Sequence, residues 1–211
     1  MEKNHSSAED LKTIRKIMEE STRFLSLSGL SGIFAGTFAI AGAVAAWLIL
    51  PGRQFMNMST GLASLSGPET SGILIKMIIV AVLVLVMSVI FALFFSIRRA
   101  RKTNMKIWTP ISKRLVINLL IPLLTGAVFV IIITVQKQYS LIIPGFLIFY
   151  GLALVNAGKF TYNEVFYLGI LELITGLGSL IFPGAGLMFW LFGFGLLHIA
   201  YGLFMFRKYE A

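Results

Sequence analysis

Within LELITGLGSLIFPGAGLMFWLFGFGLLHIAY, residues 171–201, two side chains carry charge near neutral pH, Glu172 and His198. Their neighbours are almost all apolar, aromatic or glycine. An acid and an imidazole in such a setting can exchange a proton, provided that they meet. The turn GAG at 184–186 is centred on residue 185, and each of the two lies 13 residues from it. Counting from the other ends of their helices puts both ~12–14 Å deep at 1.5 Å per residue. The spacing therefore predicts that they face one another on adjacent antiparallel helices.

A lone carboxylate at that depth is costly to ionise and would stay protonated. A facing imidazole can share its proton, and such a pair titrates as a unit. Two roles are open. As a staple between helices the pair would contribute about 0.6 kcal/mol. As a proton- or ligand-linked site it would belong with the ionisable groups that mark pathways inside membranes. Asn118, Asn156 and Tyr201 fall towards the same half. They are expected either to line a cavity with the pair or to act as interfacial anchors and ordinary interhelical hydrogen-bonding groups.

The elements that position these residues are membrane spans. Of 211 residues, 57% are hydrophobic and 13% charged, about half the charged share of an ordinary soluble domain. Mean hydropathy is +0.88. The apolar residues come in six blocks, at roughly 27–50, 72–97, 115–135, 141–158, 164–183 and 186–206. Each is near the ~20 residues that cross a ~30 Å hydrocarbon core, the fourth being the shortest. The fold class is thus all-α: a six-helix transmembrane domain over 27–211, built as three hairpins. Residues 1–26 are read as an amphipathic cytosolic helix, with Ser6 and Glu9 as a capping box at its start.

Fifteen of the lysines and arginines fall at the N-terminus, between spans two and three, after span four and after span six; Arg53, Lys76 and Lys137 lie on or near the other side. Cytoplasmic flanks are enriched in these residues, so both termini are expected in the cytosol of a bacterial inner membrane. This placement also accounts for the net charge of +9 without nucleic acid. The segment RRARKTNMKIWTPISKR supplies Arg98, Arg99, Arg101, Lys102, Lys106, Lys113 and Arg114 with no acid among them, and is expected to contact anionic headgroups of the membrane lipids.

Ser28, Gly32 and Gly36, spaced by four, give one face of the first span over which another helix backbone can come close. That helix belongs either to the same protomer or to a second copy in a homo-oligomer. An internal repeat is also legible. PLLTG at 122–126 matches ELITG at 172–176, and the glycines Gly151 and Gly158 match Gly195 and Gly202, so helices three and four look like a copy of five and six. Pro122 and Pro144 are expected to free a carbonyl and kink their helices.

Other chemistry is disfavoured. The chain has no cysteine, and its one aspartate, Asp10, is placed in the cytosol, away from His198. No Ser/His/Asp triad can therefore assemble, and no enzyme activity is expected. Two histidines do not make a multi-histidine metal site, and a haem on His198 would need a second axial ligand; neither metal nor cofactor is expected. Gly29, Gly32 and Gly36 follow no strand, which removes a dinucleotide loop.

The stretch GILELITGLGSLIFPGAGLMFWLFGFGLLHIAYG, 169–202, is similar to the short two-helix repeat of six-helix bacterial acid-resistance membrane proteins. With its opening STRFLSLSGLSGIFAG and its ending GFGLLHIAYG, the whole chain resembles an uncharacterised family of bacterial six-helix inner-membrane proteins. The first resemblance covers the last third and implies a stress-linked role; neither brings catalytic residues. Two functions are carried forward: small-solute or proton-linked transport or permeation through Glu172 and His198, and a non-transporting scaffold or stress-response protein. The latter would engage a cytosolic protein partner through its N-terminal helix and basic loop.

Overall fold

The computed structural model describes residues 23–50 and 68–211. Most of the predicted N-terminal helix, with Ser6 and Glu9, and most of the loop between the first two spans lie outside the described residues. All regular structure among the described residues is helical. Six helices are long and apolar enough to cross a membrane: α1 (Gly29–Ile49), α2 (Pro68–Lys102), α3 (Pro110–Val135), α4 (Ile142–Gly158), α5 (Asn163–Ile181) and α6 (Pro183–Tyr209). The chain is a multi-pass integral membrane protein.

The ends follow local chemistry. Thr109 caps α3 through a reciprocal pair with Ser112, with Pro110 in the first turn, where its missing N–H costs nothing. Pro122 lies inside α3, which continues as one helix. Pro144 sits in the first turn of α4, which again needs no N–H there. The short fourth block gains a 3₁₀ turn, Tyr139–Leu141, at its start. At 35 residues, α2 is about 50 Å long and carries its basic end beyond a ~30 Å core.

Residues 23–26, expected to end the N-terminal helix, are not helical. With Leu27 and Ser28 they form an extended strap, held by hydrogen bonds that a helix would have kept for itself. Phe24 N–H donates to Phe160 O at 2.7 Å, and Thr161 Oγ1 returns a bond to Phe24 O at 2.6 Å. Tyr162 OH donates to Leu25 O at 2.6 Å.

Packing is closest where side chains are smallest. A Cβ on Gly29 would stand 2.4 Å from Phe206 N, one on Gly36 2.6 Å from Gly195 O, and one on Gly202 2.5 Å from Ile33 N. The small-residue face of α1 is thereby spent on α6 of the same protomer. Gly151 and Gly169 bring α4 and α5 into equal contact. The most extensive contacts join α4 to α5, α3 to α4, α2 to α1 and α1 to α6. Four phenylalanines, Phe34, Phe38, Phe91 and Phe95, stack between α1 and α2. Much of the apolar surface of α2 and α3 faces outward, as lipid-facing helices require. Where α4, α5, α6 and the strap converge, Leu154, Tyr162, Val165, Leu168 and Met205 form a buried cluster.

Candidate functional site

Glu172 and His198 meet. Glu172 projects from the middle of α5 and is fully buried; His198 is 5% exposed. His198 Nδ1 lies 3.3 Å from Glu172 Oε1. The equal spacing about residue 185 has put them at one depth, as expected.

Around the pair, the structure adds a third member that the sequence reading passed over. Tyr150 of α4 places its hydroxyl 2.7 Å from His198 Nε2. The other ring nitrogen faces Gly193 O at 3.2 Å as well as the carboxyl group. A peptide carbonyl accepts only, so Nδ1 carries the hydrogen. In a neutral ring Nε2 is then the lone-pair side, to which Tyr150 donates. This tautomer is assigned from the network of partners. Both Glu172 oxygens are buried without a hydrogen-bond partner. Carboxyl and imidazole stand within ion-pair distance of each other, shut away from solvent.

Aromatic rings wall the site. Phe194 lies 5.2 Å from the Tyr150 ring and 4.7 Å from that of Trp190, whose indole N–H donates to Ala39 O at 3.1 Å. Gly193 is required beside the carboxyl: a Cβ there would stand 2.7 Å from Glu172 Oε2 and 2.6 Å from Leu147 Cδ2. The helix carrying His198 is irregular just above it. Residues Leu191–Leu197 form a π-helical turn between the α-helical stretches Gly186–Trp190 and His198–Tyr209. Such turns collect at functional sites.

The remaining candidates stand elsewhere. Asn118 donates to Arg114 O of its own helix at 2.8 Å, and Asn156 accepts from Lys159 Nζ at 3.3 Å where α4 ends. Neither joins the pair, because α3 packs chiefly on α4 and Asn156 sits at the helix exit. Tyr201 lies one turn below His198, packed on the buried cluster.

Arg99 requires a correction. Its side chain is only 12% exposed, and it turns inward instead of joining a headgroup-facing run. It donates to Glu210 Oε1 at 2.8 Å and to Leu27 O at 2.7 Å through Nη1, and to Tyr162 OH at 3.2 Å and Tyr209 O at 3.3 Å through Nη2. Glu210 in turn accepts from Ser28 Oγ at 3.0 Å and from the Gly29 N–H, so a carboxylate caps the positive end of the α1 dipole. Burial pushes the Tyr162 phenol above its ordinary value, Arg99 opposing; the hydroxyl keeps its proton and can donate to Leu25 O. Arg98, Arg101, Lys102, Lys106, Lys113 and Arg114 remain exposed on this basic face, with Lys113 over the ring of the exposed Trp108.

No family model, curated protein or solved structure matches this chain. Its function has to be argued from the site alone.

Proposed function

We propose that the protein conducts protons, or a small solute coupled to them, across a bacterial inner membrane through Glu172, His198 and Tyr150. The observation that carries this reading is Glu172: a fully buried carboxyl, both oxygens without a hydrogen-bond partner, 3.3 Å from an imidazole nitrogen. As a staple between helices the contact would contribute only about 0.6 kcal/mol, whereas buried ionisable groups in membranes mark proton and ion pathways.

The roles divide by chemistry. Glu172 is the group that gains and loses the proton. His198 accepts or returns one at the nitrogen facing Tyr150 and stabilises the ionised carboxylate from the other. Tyr150 orients the ring and can pass a proton through its hydroxyl. Termini and basic loop are assigned to the cytosol by the placement of lysine and arginine.

The test is proton flux into proteoliposomes under an imposed pH gradient. Flux is expected in the wild type and should be lost in Glu172→Gln and His198→Ala while both stay folded.

A second reading is favoured by a different observation. The strap 23–28 is bonded into the α4–α5 connection, which fixes the exit point of the N-terminal segment beside the exposed basic residues. On that reading the protein is a scaffold on anionic lipid, and residues 1–23 recruit a cytosolic partner. Deletion of residues 1–23 would then abolish function, and Glu172→Gln would only loosen the fold.

A further inference from the structure

The spans pack as a row with two ends. α2 lies on α1, α1 on α6, α6 on α4 and α4 on α3, with α5 against both α4 and α6. The end helices, α2 and α3, follow one another in sequence but do not pack on each other. Burial agrees. On α2, Val80, Val84, Phe91 and Phe95 meet α1 through Gly42 and Phe34, while Ile75, Val82, Leu85, Val89 and Leu93 around the rest of the helix are exposed. On α3, Gly126 and Val130 meet α4, and Ile117, Ile121, Leu124, Val128 and Ile131 are exposed.

A straight row of five helices spaced 8–10 Å apart would hold α2 and α3 ~32–40 Å from each other. Residues 103–109 join them, a connection that reaches ~29 Å at full stretch. It is also turned back at its start, Thr103 N–H onto Arg99 O and Met105 N–H onto Ala100 O. The row therefore curves, and α2 and α3 flank its concave side. Trp190 marks that side. From α6 it donates to Ala39 O of α1 at 3.1 Å and meets the Phe146 ring of α4 edge-on at 6.1 Å. Among the described residues, no helix packs into the gap between the two ends of the row.

At the basic face this gap opens between the end of α2 and the start of α3. Arg98, Arg101 and Lys102 stand on one side, Lys113 and Arg114 on the other, and Lys106 on the loop between them; all six are exposed. No acid occurs from 98 to 114, and Glu164 and Glu210 are taken by Lys208 and Arg99. Trp108 is 67% exposed, with Lys113 Nζ 5.8 Å from its ring centre, a placement suited to headgroup depth.

We propose that the gap between α2 and α3 seats one anionic phospholipid, its acyl chains along the exposed apolar faces of the two helices and its phosphate among the basic residues at the mouth. Both halves of that ligand have a counterpart. Any lipid would satisfy the apolar faces, and any soluble anion the cations; an anionic lipid satisfies both at once. It also gives α2 and α3, each resting on a single neighbour, a second surface to pack on. The seat differs from a diffuse headgroup contact in having one place and one occupant, and it does not depend on Glu172 or His198.

Native mass spectrometry of the lipid-stripped protein in mild detergent tests this, with phosphatidylglycerol, phosphatidylcholine or inorganic phosphate added back. One phosphatidylglycerol per chain should be retained, saturably, with neither of the others retained in its place. Lys102→Gln and Lys113→Gln, on opposite sides of the mouth, should each weaken retention about fivefold, and the pair about thirtyfold. Arg207→Gln, which removes an equal charge from the exposed end of α6, should leave retention unchanged, and so should Glu172→Gln. Equal retention of phosphatidylcholine would reduce the seat to ordinary lipid surroundings. Equal weakening by Arg207→Gln would reduce it to overall charge. Full displacement by inorganic phosphate would leave an anion site without a lipid. A lipid-free dimer, or lipid retained only after residues 1–22 are deleted, would give the gap to a second copy or to that segment. Each of these four results would overturn the proposal.

Discussion

On the proton-linked reading, Tyr150 would turn two groups in contact into a relay. Its hydroxyl, 2.7 Å from His198 Nε2, fixes the tautomer and so decides which nitrogen meets the acid. Tyr150→Phe keeps the ring packing with Phe194 and removes one hydrogen bond worth about 1 kcal/mol of stability, so the melting temperature should fall by only a few degrees while flux drops through loss of the hydroxyl. An unaltered flux would remove Tyr150 from the relay. The depth count that aligned Glu172 with His198 also reaches Tyr150, eight residues from the C-terminal end of α4 at Gly158. It went unread because an aromatic in an apolar span looks like packing. Arg99 was hidden for the opposite reason. Inside a run of seven basic residues without an acid, nothing local separates the one that folds inward, and its partner Glu210 is 111 residues away in sequence.

At the scale of elements, backbone contact through glycine holds α1 on α6 and α4 on α5. Gly29 illustrates the cost of losing it. A Cβ there would meet Phe206 N at 2.4 Å and Gly202 O at 2.5 Å, and backbone atoms cannot swing aside. Gly29→Ala should destabilise by about 1–3 kcal/mol. The control is Gly72→Ala, where a Cβ meets nothing within 4 Å and the helix should gain up to about 1 kcal/mol. Thermal unfolding of the two variants in detergent checks this; equal melting temperatures would contradict it. The six spans and the small-residue face were legible because hydrophobic length and residue size act locally. Which helices pair was less so: the three-hairpin order omits the extensive contacts of α4 with α5 and of α1 with α6. The π turn leaves no mark in composition, since GFGLL is equally at home in an α-helix.

For the molecule as a whole, the basic face is closed by one charged clamp. Arg99 from α2, Glu210 after α6, the start of α1, the strap and Tyr162 at the head of α5 are joined in a single network. Its two charges are 12% and 15% exposed, so removing one leaves the other nearly buried and unpaired. Arg99→Gln and Glu210→Gln should each cost about 3 kcal/mol, and the double variant less than the sum of the two. Additive losses would show that the clamp does not couple them. The most direct measurement remains proton flux in proteoliposomes of wild type, Glu172→Gln and His198→Ala, with folding followed in parallel. Flux in the wild type that disappears in both folded variants is the expected result. Flux that persists in Glu172→Gln, or a wild type that conducts nothing, would contradict a proton path through this pair.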